Sequence, residues 1–259
     1  MSVTATEPDW RGLVDSWDRQ QSGYIPPREQ MFTLMIDAVR AELGDAPLVL
    51  DLGCGPGGIS ERLLARLPGA RAVALDLDPV LLAIGQGALG TLGGRLRWVE
   101  ADLRDPGWTG AAGNQPFDAV LTATALHWLP PEQLTVTYRQ VAGLLRPGGL
   151  LLNADRLRFD ERSPTCARLA ERLTLGRAES AFAGEDTPDW TAWWHSLDRE
   201  PSMRPLLAER ERRLLGEHGR RTFARPTEAF HLGALADAGF REMGTIWQDL
   251  DRRLLLAVR

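Results

Sequence analysis

The stretch that most constrains this chain is Leu48 to Gly58, LVLDLGCGPGG, where a short apolar run meets four glycines within six residues. An apolar run of that length reads as a strand buried on both faces, and the glycines end it where the backbone must turn tightly. The next segment, ISERLLARL, returns to helical periodicity. Strand, glycine-rich crossover and helix in that order open a βαβ unit. Glycine at the crossover lets backbone amides approach a ligand with no Cβ in the way.

The unit repeats. RAVALDLD (71–78), RLRWVEADL (95–103), FDAVLTATAL (117–126) and GLLLNAD (149–155) read as further strands. PVLLAIGQGAL and PEQLTVTYRQVAGLL read as helices, the second ending at Arg146, Pro147 and Gly148. This alternation predicts a doubly wound α/β fold with a parallel sheet covered on both faces. After the helix TEAFHLGALADAGF, the runs EMGTIWQDL and RRLLLAVR are joined by so short a turn that they should pair antiparallel. Four regions are expected. Residues 1–44 form an N-terminal helical segment, with Pro26 and Pro27 at the first turn of a helix faced by Met31, Leu34, Met35, Ala38 and Val39. Residues 45–155 form the nucleotide-type core, 156–226 a mostly helical inserted lid, and 227–259 the helix and hairpin that complete the sheet. Within the lid, AERERRLLGEHGRR, with Leu206 and Leu207 just before it and Leu214 and Leu215 inside it, reads as one solvated helix.

Composition narrows the chemistry. With 259 residues, 44% of them hydrophobic, the chain can bury a substantial core. All thirty basic residues are Arg, which excludes a P-loop lysine, a Schiff-base lysine and any other side-chain amine catalyst. A net charge of -5 disfavours a nucleic-acid partner and leaves a small molecule as the expected one. Cys54 and Cys166 read as reduced thiols, and His195, His218 and His231 are too scattered to suggest a metal. No basic start precedes an apolar run, and no long apolar run occurs, so a cytoplasmic monomer or homodimer without membrane attachment is expected.

The glycine spacing satisfies two fingerprints. Gly53, Gly55 and Gly58 fit the GxGxxG of dinucleotide sites, whereas Asp51, Gly53, Gly55 and Gly57 fit the D/ExGxGxG of S-adenosylmethionine (SAM) sites. Asp76, at the end of the second strand, suits a pair of ribose hydroxyls, which either cofactor offers. Asp102, closing the third strand, is placed for an adenine amino group. Three carboxylates along one sheet edge suit a ligand with an ammonium and a sulfur cation better than a pyrophosphate. A nicotinamide-dependent oxidoreductase and a non-catalytic SAM-binding protein are the alternatives.

LDLGCGPGG, VALDLDP, VEADLRD, FDAVLTATALHWL and LLRPGGLLL resemble, in order, the successive motifs of the class I SAM-dependent methyltransferases. The resemblance covers about residues 45–155, and 227–259 match that family's last helix and hairpin. It implies a seven-stranded, mostly parallel sheet of order 3214576 whose last strand is antiparallel, with SAM as cofactor, S-adenosylhomocysteine as product and no metal. It also implies that residues 1–44 cover the cofactor, with contacts from Asp51, Gly53, Gly55 and Gly57 to the methionine portion, from Asp76 to the ribose, from Asp102 and Leu103 to the adenine, and from Leu77 to the cofactor. Thr122 joins that set. Tyr24 and Arg28 are candidates for the sulfur cation and the methionyl carboxylate. Asp78, just before Pro79, suits a helix N-cap better than a ribose.

For the acceptor, His127 has the pKa of a general base near neutrality, or it packs beside Trp128. The His127-Trp128 pair resembles the small-molecule carboxyl methyltransferases of the trans-aconitate and juvenile hormone acid types. That resemblance implies an indole N–H at the substrate carboxylate, with Gln20 or Gln21 assisting. A carboxylate needs no base, which leaves His127 a positioning role; a hydroxyl or amine acceptor stays open. Trp190, Trp193 and Trp194 share one helix face, as a packing stripe or as the wall of the acceptor pocket, while Trp17 reads as packing.

Overall fold

The computed structural model describes residues 7–184, 186–214 and 226–259. Two helices, α1 (Trp10–Tyr24) and α2 (Arg28–Leu43), precede the alternating core. The core runs β1 (Leu48–Leu52), α3 (Gly58–Arg66), β2 (Arg71–Asp76), α4 (Pro79–Leu89), β3 (Leu96–Glu100), α5 (Trp108–Ala112), β4 (Phe117–Ala123), α6 (Pro131–Leu144) and β5 (Leu145–Arg156). Helices α7 (Pro164–Ala181), α8 (Trp190–Leu197) and α9 (Arg204–Leu214) follow, then α10 (Glu228–Asp237), β6 (Glu242–Asp249) and β7 (Arg252–Val258). Among the described residues, no helix is long and apolar enough to cross a membrane.

The seven strands lie in the order β3-β2-β1-β4-β5-β7-β6, and β7 runs antiparallel to both neighbours, the topology that the resemblance implies. Alternation along each strand feeds two layers. Val49, Leu121 and Leu152 pack with Met35, Ile36 and Leu63 on one face. Leu50, Val120 and Leu151 pack with Tyr138, Val141 and Leu235 on the other.

Three local readings are revised. β2, β3 and β4 stop earlier than their apolar runs: Thr124, with φ 51, ends the pairing of β4 by donating its amide to Ala154 O at 2.9 Å, and Leu126–Trp128 then form a single 3-10 turn. His127 therefore stands above the sheet edge and not in the strand. Pro26 and Pro27 precede α2, with Pro27 as its N-cap. The segment before them is itself helical: Val14 and Trp17 on α1 join Val80, Leu81 and Ile84 of α4 and Trp193, Leu197 and Met203 in a third apolar cluster. Leu206 and Leu207 pack against that cluster and Leu214 is buried, so α9 is anchored on one side and not solvated all round. Leu215 and His218 lie outside the described residues.

Candidate cofactor and acceptor site

A cavity of about 560 Å³ opens along the carboxyl ends of β1, β2, β4 and β5 and the start of β7. The glycine crossover forms its wall. The amides of Gly53 and Cys54 both donate to Leu75 O, at 2.8 and 3.0 Å, which clamps the turn to β2. Gly53 has φ 71, and a Cβ there would sit 2.3 Å from the Ala125 Cβ; at Gly57, φ 87, it would strike Trp98 at 2.6 Å. These two glycines are demanded by packing, and Gly57 does not line the cavity. Gly55 differs: its φ is 54, yet nothing stands closer to a Cβ than Leu81 Cδ1 at 3.9 Å. Its backbone borders open space, where a ligand can approach.

Asp76 reaches into the same wall. One carboxylate oxygen accepts from Gly55 N at 2.7 Å and the other from Asp78 N at 2.9 Å. Burial pushes this carboxyl up to about 6, with the Asp78 charge adding to the push and the backbone amides opposing it. Leu77, Asp102 and Leu103 also line the cavity, and Asp102 is bridged by Arg104 at 2.7 Å. Asp78 caps α4 as expected, accepting from Val80 N at 3.1 Å, and its second oxygen takes Arg210 Nε of α9 at 2.6 Å.

Asp51 and Thr122 stand elsewhere. Asp51 is buried behind the crossover, where one oxygen accepts from both Ser60 N (3.0 Å) and Ser60 Oγ (2.7 Å) and so ties β1 to the first turn of α3. Burial raises it to about 7 against those bonds, and Asp76 adds to the rise. Any part it has in ligand binding is indirect, because it does not line the cavity. Thr122 is fully buried within β4, and the cavity is lined instead by the Ala123-Thr124-Ala125 turn that follows. The alternation of the strand turns Thr122 the same way as Val120, away from the edge.

Arg28 and Tyr24 do line the cavity. Arg28 is buried, paired with Asp18 at 2.9 Å and laid 4.5 Å over the Phe32 ring; burial lowers its pKa, with Asp18 opposing. The Tyr24 hydroxyl accepts from Trp190 N at 3.0 Å, joining the end of α1 to the start of α8. Gln21 lines the cavity, whereas Gln20 is buried behind it and accepts from Gln21 Nε2 at 2.7 Å. The tryptophan stripe divides. Trp190 lines the cavity; Trp193 packs against Trp17 at 4.8 Å, and Trp194 lies 3.5 Å beneath the Arg210 guanidinium. Trp17 does both, being packed and at the cavity wall.

The far end of the cavity holds a group the sequence reading missed. His127 Nδ1 lies 2.8 Å from Asp155 Oδ1, and the His127 amide donates to Asp155 Oδ2 at 3.2 Å. Burial would raise Asp155, but the His127 charge, its hydrogen bond and the Arg156 amide outweigh that and hold it below the usual carboxylate range. An ionised carboxylate can only accept, so Nδ1 carries the hydrogen and Nε2 is left for the cavity. Trp128 lies beside it, ring centroids 5.1 Å apart. Arg156 and Arg252 complete this end. Arg156 is bonded to Asp251 through Nε and Nη2, at 3.0 and 2.7 Å, and Arg252 Nη2 donates to Tyr24 O at 2.8 Å. Burial, helped by the Arg156 charge, pushes Arg252 down to about 10. Asp155 had a legible signal, an acid closing a buried strand as Asp76 does; Arg252 had none, because only the β5–β7 pairing brings it here.

A family model described as a methyltransferase domain matches residues 49–149. The trans-aconitate 2-methyltransferase of Azoarcus sp. (strain BH72) is 32% identical over 185 residues, 71% of this chain and 68% of that protein. That of Streptomyces avermitilis is 35% identical over 234 residues, 76% of this chain and 82% of that protein. Among solved structures, an O-methyltransferase family protein from Burkholderia thailandensis shares the fold, with a TM-score of 0.55 and 21% identity. The match covers 88% of this chain and 55% of that longer one.

Proposed function

The chain belongs to the class I SAM-dependent methyltransferases, and from that premise we propose that it esterifies a carboxylate of a small organic acid. The site fits SAM: Gly55 offers open backbone at positive φ, and the half-buried Asp76 carboxylate lines the cavity beside it. When bound, SAM supplies a methyl carbon already activated by its sulfur cation. Asp76 would receive the ribose hydroxyls, Leu77 and Leu103 flank the base beside Asp102, and Arg28 and Tyr24 cover the methionyl part.

The observation that carries the acceptor reading is the commitment of Asp155 to His127. His127, Asp155, Arg156 and Arg252 line the far end of the cavity, and with Asp155 bonded to His127 and Arg156 to Asp251, Arg252 is left to attract an anion. A carboxylate acceptor is ionised at neutral pH, so the chain has no proton to remove and must align an oxygen and keep water out. Asp155 fixes the His127 ring, and with both ring nitrogens protonated Nε2–H can donate to the carboxylate, while Trp190 and the end of α1 close over it. The relatives support this reading, being trans-aconitate 2-methyltransferases by name. We assign α7 to α9 the part of a lid.

The test is a mass-spectrometric screen of acids, amines and phenols with SAM, trans-aconitate among the acids. A product one methylene heavier that reverts in mild alkali is the expected ester. An alkali-stable product formed only from an amine or a phenol would overturn the assignment.

A further inference from the structure

The acceptor end holds two arginines that differ in what they are bonded to. Arg156 is taken up by Asp251. Arg252 lies opposite Arg156 in the β5–β7 ladder and lines the same cavity, but its hydrogen bond is to a neutral group, the Tyr24 carbonyl. Three acids lie within its electrostatic reach, and each already has a partner: Asp155 has His127, Asp251 has Arg156, and Asp249 has Arg177 at 2.6 Å. Among the described residues, no carboxylate is within ion-pair distance of Arg252. A guanidinium has five donors in a planar fork. Holding it half-buried with one neutral acceptor is costly, and an anion from solution removes that cost.

Its place along the sheet says which anion. β7 lies two strands beyond β4 and four beyond β2. At about 4.8 Å per strand, Arg252 is about 10 Å past the β4 edge and about 19 Å from the ribose acid. It therefore stands on the far side of the reacting position from the nucleoside. The methionyl carboxylate has a nearer candidate in Arg28, beside Gly58 of the crossover.

We propose that Arg252 is a specificity-determining residue that binds a second acidic group of the acceptor, one that is not methylated. This rests on the carboxylate reading above and adds to it: the preferred acceptor is an acid with at least two anionic groups. His127 holds the one that reacts, and the Arg252 fork receives the other bidentately. The bond to Tyr24 O fixes the guanidinium at the end of α1, the same residue whose hydroxyl anchors Trp190, so the anion reader is set by the segment that covers the site.

The experiment compares two probes, trans-aconitate and the monocarboxylate sorbate, in the wild-type chain, Arg252→Gln and Arg252→Lys. Arg252→Gln is expected to raise KM for trans-aconitate by about 10- to 100-fold, the loss of a charge-assisted hydrogen bond, while KM for sorbate stays within about twofold. Arg252→Lys, which keeps charge and a donor for Tyr24 O, recovers part of the loss, and S-adenosylhomocysteine affinity by calorimetry is unchanged in both. Equal losses on the two acids would make Arg252 a structural tie and overturn the proposal. So would a fall in S-adenosylhomocysteine affinity with acid preference intact. If the wild-type chain methylates an amine or phenol and neither acid, the carboxylate reading itself fails and this proposal with it. Should Arg252→Gln not fold, the Lys variant decides: trans-aconitate kinetics equal to wild type would reject the fork.

Discussion

At the nucleoside end of the cavity an acid and a backbone amide of neighbouring crossovers are bonded directly, Asp76 to Gly55 at 2.7 Å. At the acceptor end the partners come from across the chain: Asp155 holds His127, and Arg252 is fixed by a carbonyl 228 residues away. The first end is made by repeating one local rule, in which a buried strand runs out, the chain turns and an acid stands at the edge. The second is made by strand pairing and helix packing. A cofactor site of the first kind can stay constant while the second kind is rebuilt for a different acceptor, because few groups belong to both.

Substitutions that separate the ends test this contrast, and the largest effect belongs to neither. Trp193 is fully buried against Trp17, so Trp193→Ala should cost about 3–5 kcal/mol of stability in a denaturant titration. Its acid preference should survive under conditions where it folds; a changed preference would place Trp193 in the acceptor pocket after all. Next is Gly53→Ala, which combines a positive φ with the Ala125 collision and should cost about 2–4 kcal/mol. Gly55→Ala, strained in φ alone, should cost about 1–2 kcal/mol of stability but weaken S-adenosylhomocysteine binding. If the two glycine variants behave alike, the division between packing and ligand-facing glycines is wrong.

Asp155→Asn acts at the other end. Releasing the His127 ring should lower kcat/KM by the equivalent of about 1.5–3 kcal/mol with cofactor affinity unchanged, as steady-state kinetics and calorimetry would show. The smallest effect comes from pH. Asp76 is raised to about 6, and under the proposed assignment its ionised form is the one that would accept the ribose hydroxyls. S-adenosylhomocysteine affinity should therefore fall as pH drops through 6, about tenfold at pH 5. Unliganded stability moves the other way. The folded chain holds protons on Asp51 (about 7) and Asp76 (about 6) that the unfolded chain releases nearer 3.8, the ordinary carboxylate value. Their contribution is full below about pH 4 and is lost as pH rises through 6 and 7. Melting at pH 5 and pH 8, with and without S-adenosylhomocysteine, reads both signs.

The same contrast explains what the sequence disclosed. The strands, the crossover and the place of Asp76 at the end of β2 were legible because each is written in a contiguous run, whereas the strand order came from the family resemblance. Asp78 was separable from Asp76 by its place before Pro79. Thr122 was misplaced because an apolar run does not mark where pairing stops, and the break at Thr124 depends on its positive φ. The tryptophan spacing gave a common face correctly but not which ring stands at its border, a matter of how α8 docks on α1 and α4. Arg252 was invisible among thirty arginines until the antiparallel last strand set it beside Arg156.

The central claim is that the glycine crossover and Asp76 hold the methyl donor independently of the acceptor end. Calorimetric titration of S-adenosylhomocysteine into the wild-type chain, Asp76→Ala and Arg252→Gln tests it most directly. The account predicts one-to-one binding that weakens by about 10- to 100-fold in Asp76→Ala and holds in Arg252→Gln. Undiminished binding by Asp76→Ala, with the chain folded, would contradict it.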